Sequence, residues 1–419
     1  MIFHLTGLTS IWRVAVAGVL AAGLFTLGAC TEKETPQAAV RKFMFWPPAP
    51  DEPRIQFLRT ISSSKEITGG QSQMDELVYG KGEDRTLPLI RPYGVKWYSG
   101  KAYVCDATAG IVAVLDIRGK QVAVLGGGAQ PSLFKPIDIV VSPEQIKYVA
   151  DTGYSAVIVL DQNNKVAGRI TAPNMRPISV ALRGDELYVS DMQSSVVRVF
   201  DRFNGKQLRA IGEQGGGEGK LAGAMGLTLD AAGNIYVNDV VGCKVQKFSP
   251  EGKLLKSWGG RGTTTGKFVR PKMMAVDSDG IVYVVDNAFQ NVQMFNADGD
   301  TLMYFGGAGP FAGAMDMPTG VAVVETDLDL FAPYVHDAFE MRRVLIVTNN
   351  FGWRKVNFYA MGQLRPGKTV ADLSATRLED KSVFDSSSIT SGSSTQPGRT
   401  LQLQPTEDPA LQESTTKPK

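Results

Sequence analysis

The chain has 419 residues, and its 44 Lys and Arg against 42 Asp and Glu give a formal net charge of +2. This near balance argues against nucleic acid, and against any other highly charged molecule, as a partner. With 45 glycines and 43% hydrophobic residues, the composition is typical of a turn-rich β protein with a large core.

Residues 1–29 have the features of a lipoprotein signal peptide. Arg13 precedes an unbroken apolar and small-residue run over residues 14–26, and Leu27-Gly28-Ala29-Cys30 follows. A run of about 13 residues is too short for a membrane-spanning helix, which needs about 20. The four residues that end at Cys30 resemble a bacterial lipobox, which implies that Cys30 is lipidated and becomes the mature N-terminus. The alternatives are an ordinary signal peptide with an incidental cysteine, or an uncleaved anchor.

The lipobox reading predicts that the chain is held on a membrane of the bacterial cell envelope by its N-terminal lipid. Thr31, and not Asp, follows the cysteine. By resemblance to enterobacterial sorting, this favours the outer membrane. Residues 30–52 then form a proline-rich tether. Phe43, Phe45 and Trp46 are unusual in a pure linker, so we expect this part to dock on the folded domain.

The middle of the chain repeats one module six times. Each copy has a short strand that ends in Asp or Asn and a second strand that ends ten residues later. The Asp or Asn positions are Asp106, Asp151, Asp191, Asp239, Asp286 and Asn349. Each copy also opens with a proline or its substitute, at Pro92, Pro136, Pro177, Met225, Pro271 and Pro318. Four strands in about 45 residues is the period of a propeller blade.

The two ends of the repeat array indicate how the ring closes. The sixth copy turns polar after Gly362 and lacks a fourth strand, whereas residues 53–61 form a strand without a partner in its own repeat. We therefore predict that the N-terminal strand completes the sixth blade, which removes exposed sheet edges. The domain would span residues 53–364, followed by a disordered Ser-, Thr-, Pro- and Gln-rich tail over residues 365–419.

The sixth copy also carries an insertion. Asn349 lies 31 positions after Pro318, against 14 or 15 positions in the other copies. Insertions in one blade map to a loop on one face, where individual function is often found. The insertion could equally be a packed plug or an inert excursion.

Residues 259–271, 274–277 and 283–286 resemble the NHL repeat, and the same spacing recurs over most of the chain. The resemblance implies an all-β, six-bladed β-propeller of the NHL-repeat lipoprotein type. The family's loop positions for Asn and Arg are kept only in part, as at Asn291, so the resemblance implies no ligand at those positions.

The sequence offers little for catalysis. It contains two histidines, His4 and His336, and His4 leaves with the signal peptide, so a multi-histidine zinc site is not available. The ring of Asp and Asn residues could hold a cation, but we favour a structural role in which each carboxylate accepts turn N–H groups. Cys105 and Cys243 should lie too far apart for a disulfide, and we expect both to be free, with Cys105 buried. We expect no catalytic residue, metal or cofactor.

The remaining candidates for function are residues on the surface of the propeller. By register, the loops between the second and third strands share one face and carry apolar residues that are candidates for partner binding. Together with the insertion, the candidates are Tyr154, Met192, Phe289, Phe351, Trp353, Phe331 and His336. Alternatively, several of these side chains fold inward and cap the channel.

The sequence thus favours a lipid-anchored, non-enzymatic scaffold or binding module with an envelope protein as partner. The alternative is a divalent-cation-dependent lyase or lactonase-like hydrolase with its site at the channel mouth. Binding of an envelope polysaccharide is a third hypothesis.

Overall fold

The computed structural model describes residues 43–69, 86–127 and 132–374. These residues form an all-β propeller of six antiparallel sheets, as predicted. Cys30 and the rest of the predicted lipoprotein segment, as well as residues 375–419 of the predicted tail, lie outside the described residues. Within the described residues, none of the helices has the length and apolar character required to cross a bilayer.

The segment before the first blade contains β1 (Phe45–Trp46), β2 (Ile55–Ile61) and the short helix α1 (Lys65–Thr68). The first blade contains β3 (Pro92–Tyr98), β4 (Lys101–Asp106), β5 (Ile111–Asp116) and β6 (Gln121–Gly126). The second blade contains β7 (Pro136–Val141), β8 (Lys147–Asp151), β9 (Ala156–Leu160) and β10 (Val166–Ile170). The third blade contains β11 (Pro177–Arg183), β12 (Glu186–Asp191), β13 (Val196–Asp201) and β14 (Gln207–Ile211).

The short parallel pair β15 (Glu213–Gln214) and β16 (Lys220–Leu221) connects the third blade to the fourth. The fourth blade contains β17 (Ala224–Leu229), β18 (Ile235–Asp239), β19 (Lys244–Phe248) and β20 (Leu254–Gly259). The fifth contains β21 (Pro271–Val276), β22 (Val282–Asp286), β23 (Asn291–Phe295) and β24 (Thr301–Gly306). The sixth contains β25 (Pro318–Val324), β26 (Phe339–Asn349) and β27 (Val356–Leu364).

The core lies between the blades. The second strand of each blade is covered on both sides, and every residue of β22 is buried, whereas most of β10, an outermost strand, is exposed. Near-continuous apolar sequence in the second strands follows from this double burial. The repeated tyrosine is fully buried in most blades, at Tyr148, Tyr188, Tyr236 and Tyr283. Since burial of a large side chain stabilises the fold by roughly 1.5–3 kcal/mol, these layers account for much of the stability.

The innermost strands surround the axis, and each one packs against the innermost strands of both neighbouring blades. This close approach depends on small residues: a Cβ at Gly94 would overlap the carbonyl oxygen of Ile137, and a Cβ at Gly320 would overlap that of Tyr93. The axis itself is filled near one end by Ile137, Ile178, Met225 and Met273, all of them buried.

The predicted closure is confirmed. β2 pairs with β27, with Thr60 opposite Asn357, and so supplies the fourth strand of the sixth blade. β1 then adds a fifth strand through the pairing of Phe45 with Gln56. The aromatic part of the tether therefore docks on the domain, as expected from its composition.

Two details of the repeat register differ from the prediction. Ala224, and not Met225, pairs with Asp239 in the way that Pro177 pairs with Asp191, so Ala224 occupies the position of the repeated proline. A bulge in β17 places Met225 one residue further along, on the axis. In addition, the start of the predicted disordered tail contains an ordered 3₁₀ helix, Val370–Ser374.

The insertion in the sixth blade folds back on the core. It contains two 3₁₀ turns, Leu328–Leu330 and Ala332–Tyr334, and it joins β25 to β26. Asp327 accepts hydrogen bonds from the Trp97 indole at 3.3 Å and the Gly100 N–H at 3.1 Å, both in the first blade. Of the alternatives considered, the packed plug is therefore the one observed.

Candidate functional site

The two faces of the ring are defined by which loops emerge there. Strands alternate in direction within a blade, so the loops from second to third strand and the connectors between blades emerge at the same end. We call this end the loop face. The loops from first to second strand emerge at the opposite face. The insertion belongs to the opposite face, because it joins the first strand of its blade to the second.

The Asp and Asn ring beneath the loop face is structural. All six side chains are fully buried. Asp286, for example, accepts N–H groups of Ala288 and Phe289 in the following loop and of Val269 and Arg270 before the innermost strand. The carboxylate oxygens are thus occupied by backbone donors, which confirms the structural reading. Each ring residue thus links, through hydrogen bonds, the loop that follows it to the connector that leads into the same blade.

Phe351 and Trp353 are the predicted residues most clearly placed for contact with a partner. They lie on the loop face of the sixth blade and are 45% and 57% exposed. Arg91 stacks over the Phe351 ring at 4.9 Å, and Arg354 over the Trp353 ring at 4.6 Å. Phe351, Trp353, Arg91 and the exposed Ile90 form a surface that we call the aromatic patch, whereas Arg354 is buried.

The other predicted loop residues are less available. Met192 turns inward and packs against the buried side chains on the axis, as the alternative reading anticipated. Tyr154 is half-buried, with Arg169 over its ring at 4.6 Å and the Phe134 ring at 5.8 Å. Phe289 is half-buried on the loop face of the fifth blade.

Phe331 and His336 are not on a binding surface, which corrects the expectation that they contact a partner. Phe331 is 1% exposed, and its ring lies 5.6 Å from that of Trp97 and 5.7 Å from that of Phe358. His336 is 2% exposed, and its Nδ1 accepts the Ala338 N–H at 3.0 Å. Burial lowers the pKa of this imidazole. Both residues also lie on the opposite face, away from the aromatic patch.

His336 has an internal role. Its ring makes edge contacts with Phe43 at 4.7 Å and Phe45 at 6.0 Å. Its backbone N–H donates to the Gln56 side chain at 3.0 Å. The insertion therefore forms the seat on which the aromatic part of the tether docks.

The mouth of the channel on the loop face carries polar and charged side chains that we call the axial cluster: Tyr93, Arg176, Arg270 and Lys272. The Lys272 ammonium donates to the Tyr93 hydroxyl at 3.3 Å, and that hydroxyl points to the Met225 sulfur at 3.9 Å. Burial raises the pKa of Tyr93 to about 12, although the positive charges of Arg176 and Arg270 act in the opposite direction. Burial, and then the charge of Arg270, lowers the pKa of Lys272 to about 8.

A polar groove of about 500 Å³ extends from this mouth across the second and third blades. It is lined by Thr152, Ser155, Asn174, Met175, Arg176, Gln193, Ser194 and Gln214. Arg176 belongs to both the groove and the axial cluster. Cavities of this size are within the range of small-molecule sites.

The structure gives no support to a divalent-cation site. Among the described residues, no group of three or more His, Cys, Asp or Glu side chains is placed to hold a metal ion. The cysteines of the described residues provide no metal site either. Cys105 and Cys243 are both free, as predicted, and both are buried, as predicted for Cys105. The hydrolase alternative therefore lacks a visible ligand set in this part of the chain.

Comparison with protein families and with curated proteins finds no match. Among solved structures, a protein of unknown function from Bacteroides thetaiotaomicron VPI-5482 has 17% identity and a TM-score of 0.50, over 73% of this chain and 75% of that chain. A gluconolactonase from Xanthomonas campestris has 14% identity and a TM-score of 0.47, over 77% and 98%. A chain of the nidogen/laminin complex has 14% identity and a TM-score of 0.46, over 56% and 86%. The similarity to the Bacteroides protein supports the propeller fold alone and does not choose between catalysis and binding.

The axial cluster has a signal in the sequence, next to the repeated proline. The residue directly before the repeated proline is basic in four of the six copies, at Arg91, Lys135, Arg176 and Arg270. Ile90 and Phe134 are also exposed on the loop face, and the repeat pattern does not predict them because they lie in connectors between blades.

Proposed function

We propose that the chain is an NHL-type, lipid-anchored binding module of the bacterial cell envelope whose loop face holds a protein partner. The anchor part of the proposal rests on the lipobox-like residues that end at Cys30. The pairing of Phe45 and Trp46 with β2 supports a short tether, since it places residue 45 on the folded domain, 15 positions after Cys30.

The observation that carries the binding role is the aromatic patch. Exposed aromatic side chains on loop tips are common anchors of interfaces, and arginine beside them adds hydrogen-bond donors and cation–π contacts. Most exposed apolar residues on a monomer stand alone, whereas here Arg91 stacks on Phe351 and the Lys355 ammonium donates to the backbone carbonyl of Ile90. These contacts bring the connector that leads into β3 against the loop that carries Phe351 and Trp353. A rigid ring beneath the loops keeps this surface preorganised.

Substitutions that remove the exposed aromatic side chains without disturbing the fold test this role. The double variant Phe351→Ala and Trp353→Ala should weaken capture of the partner from solubilised envelopes at least about tenfold, because interface aromatics often contribute 2 kcal/mol or more each. The matched control is Phe203→Ala, which removes an aromatic ring that is 68% exposed on the opposite face.

The free energy of unfolding of each variant should lie within about 1 kcal/mol of that of the unchanged protein, since each variant replaces exposed side chains. Equal capture by the double variant and the control would refute the assignment of the patch.

A further inference from the structure

The axial cluster holds positively charged side chains that no acidic side chain of the described residues pairs with. Arg176 and Arg270 are exposed, and neither side chain is in a salt bridge with any described residue. Arg176 and Arg270 each directly precede the innermost strand of a blade, so both lie at the loop-face end of the strands that surround the axis. Their positive charges act to lower the pKa of the Tyr93 phenol, and the charge of Arg270 also acts to lower that of Lys272. The carboxylates of Asp191 and Asp286 accept the backbone N–H groups of Arg176 and Arg270, and Asp191 is also in a salt bridge with Arg198, so neither carboxylate is paired with a side chain of the cluster.

The partly buried position of the Lys272 ammonium is energetically unfavourable when no anion is bound. Its ammonium is partly buried, and the hydrogen-bond acceptor it reaches is a neutral phenol at 3.3 Å. Desolvation of an ammonium without an anionic partner raises its free energy, and a second positive charge nearby raises it further. An anion at the mouth of the channel would relieve both effects.

The groove beside the cluster has complementary chemistry. The side chains of Ser155, Asn174, Gln193 and Gln214 line it, and none of them makes a hydrogen bond with the described residues. Amide side chains donate and accept at once, which is the pairing that a sugar hydroxyl requires. The lining contains one apolar side chain, that of the buried Met175.

We propose that the axial cluster and the polar groove form one site for an acidic saccharide. The anionic group of one sugar lies at the cluster, where the Arg176 fork and the Lys272 ammonium bind it. The hydroxyls of the adjoining sugars lie along the groove. Arg176 joins the two halves because it belongs to both. The site is separate from the aromatic patch, and the inference does not rest on the proposed protein partner.

Isothermal titration calorimetry on the purified chain tests the site with two probes. A glucuronic acid oligosaccharide should bind at least about tenfold more tightly than a neutral glucose oligosaccharide of the same length at low ionic strength. Arg176→Gln and Lys272→Met should each lower the affinity for the acidic oligosaccharide several-fold. Gln193→Ala should lower the affinity for both oligosaccharides. The matched control is Lys165→Gln, which removes an exposed lysine from the opposite face and should leave both affinities unchanged.

The pH dependence provides a second readout. The Lys272 ammonium loses its proton as the pH rises through about 8. Affinity for the acidic probe should therefore fall between about pH 7 and about pH 9, and Lys272→Met should flatten that fall. Because Arg176 is exposed, its variant remains informative even if Lys272→Met fails to fold.

Three results would overturn the inference. The first is equal binding, or no binding, of the acidic and neutral oligosaccharides. The second is equally tight binding of poly-glutamate that Gln193→Ala does not affect, which would indicate an acidic peptide. The third is binding of inorganic phosphate as tight as that of the acidic oligosaccharide, which would leave no role for the groove.

Discussion

At the scale of single residues, the repeated Asp has two structural roles, and the strand pattern in the sequence shows only the first. It ends the second strand, and it fastens the following loop to the connector that leads into the same blade. In the sixth blade Asn349 does this with an amide, accepting the Asp316 N–H at 3.1 Å and donating to the Arg354 carbonyl at 2.7 Å. The loop face is therefore held from below by side chains that never reach its surface.

Replacement of Asp286 by Ala should lower the free energy of unfolding by about 3 kcal/mol, because four backbone N–H groups lose their acceptor. Urea unfolding followed by circular dichroism measures this. The control is Asp298→Ala in an exposed turn of the same blade, which should change stability by less than about 0.5 kcal/mol. Equal effects of the two substitutions would show that the ring is not structural.

At the scale of elements, the insertion shows why an aromatic loop is not necessarily a binding loop. Phe331 packs between Trp97 from the first blade and Phe358 from the sixth, and Arg118 forms ion pairs with Asp327 and Asp329. The insertion thus bridges the blade at which the ring closes and its neighbour. Its apolar residues stabilise the fold at that seam.

Phe331→Ala should accordingly destabilise the protein by about 3–5 kcal/mol, the range for loss of a buried aromatic side chain. Thermal unfolding compares it with Trp353→Ala, which removes an exposed ring on the loop face and should cost less than about 1 kcal/mol. A Phe331→Ala protein as stable as Trp353→Ala would contradict the packed insertion.

The sequence could predict the number of blades and the closing strand because both follow from chain order. A strand without a partner at one end and a blade lacking its fourth strand at the other can be read from local patterns. The burial of Phe331 could not be read in this way, since Trp97 lies more than 200 positions earlier in the chain. The face of the insertion could have been predicted, because any loop from first to second strand lies opposite the loops that carry Phe351 and Trp353.

Part of the candidate site was predictable as well. Phe351 and Trp353 follow a repeated Asn at a fixed register, which places them at a loop tip. The convergence of Arg176, Arg270 and Lys272 depends on how six separate strands surround the axis. A bulge in β21 between Pro271 and Met274 sets the position of Lys272, and sequence patterns do not reveal such bulges.

At the scale of the whole molecule, stability depends on a ring closed by segments from both ends of the domain. The Thr60 hydroxyl donates to the Asn357 side chain at 2.6 Å, so these side chains share one side of the closing sheet. Separation of β2 from β27 would leave an unpaired edge on the sixth blade and uncover Ile55 and Ile61, both fully buried.

A disulfide across this pairing should therefore stabilise the ring. Cysteines at Thr60 and Asn357 should oxidise readily and raise the free energy of unfolding by about 2–4 kcal/mol, because the bond closes a long loop in the unfolded chain. Non-reducing gels and urea unfolding measure both effects. The control is a cysteine pair at Thr60 and Phe358, one residue out of register, where the side chains lie on opposite sides of the sheet and should not bridge. Equal oxidation of both pairs would contradict the observed register.

The central claim is that the loop face, and not the opposite face, binds the partner. Site-specific photo-crosslinking in intact cells tests it most directly, with a photoreactive amino acid at Trp353 or at Phe203, which are 57% and 68% exposed on the two faces. We expect one discrete adduct from position 353, lost when Phe351 is also replaced by Ala, and no adduct from position 203. Adducts of equal yield from both positions, or from position 203 alone, would contradict the account.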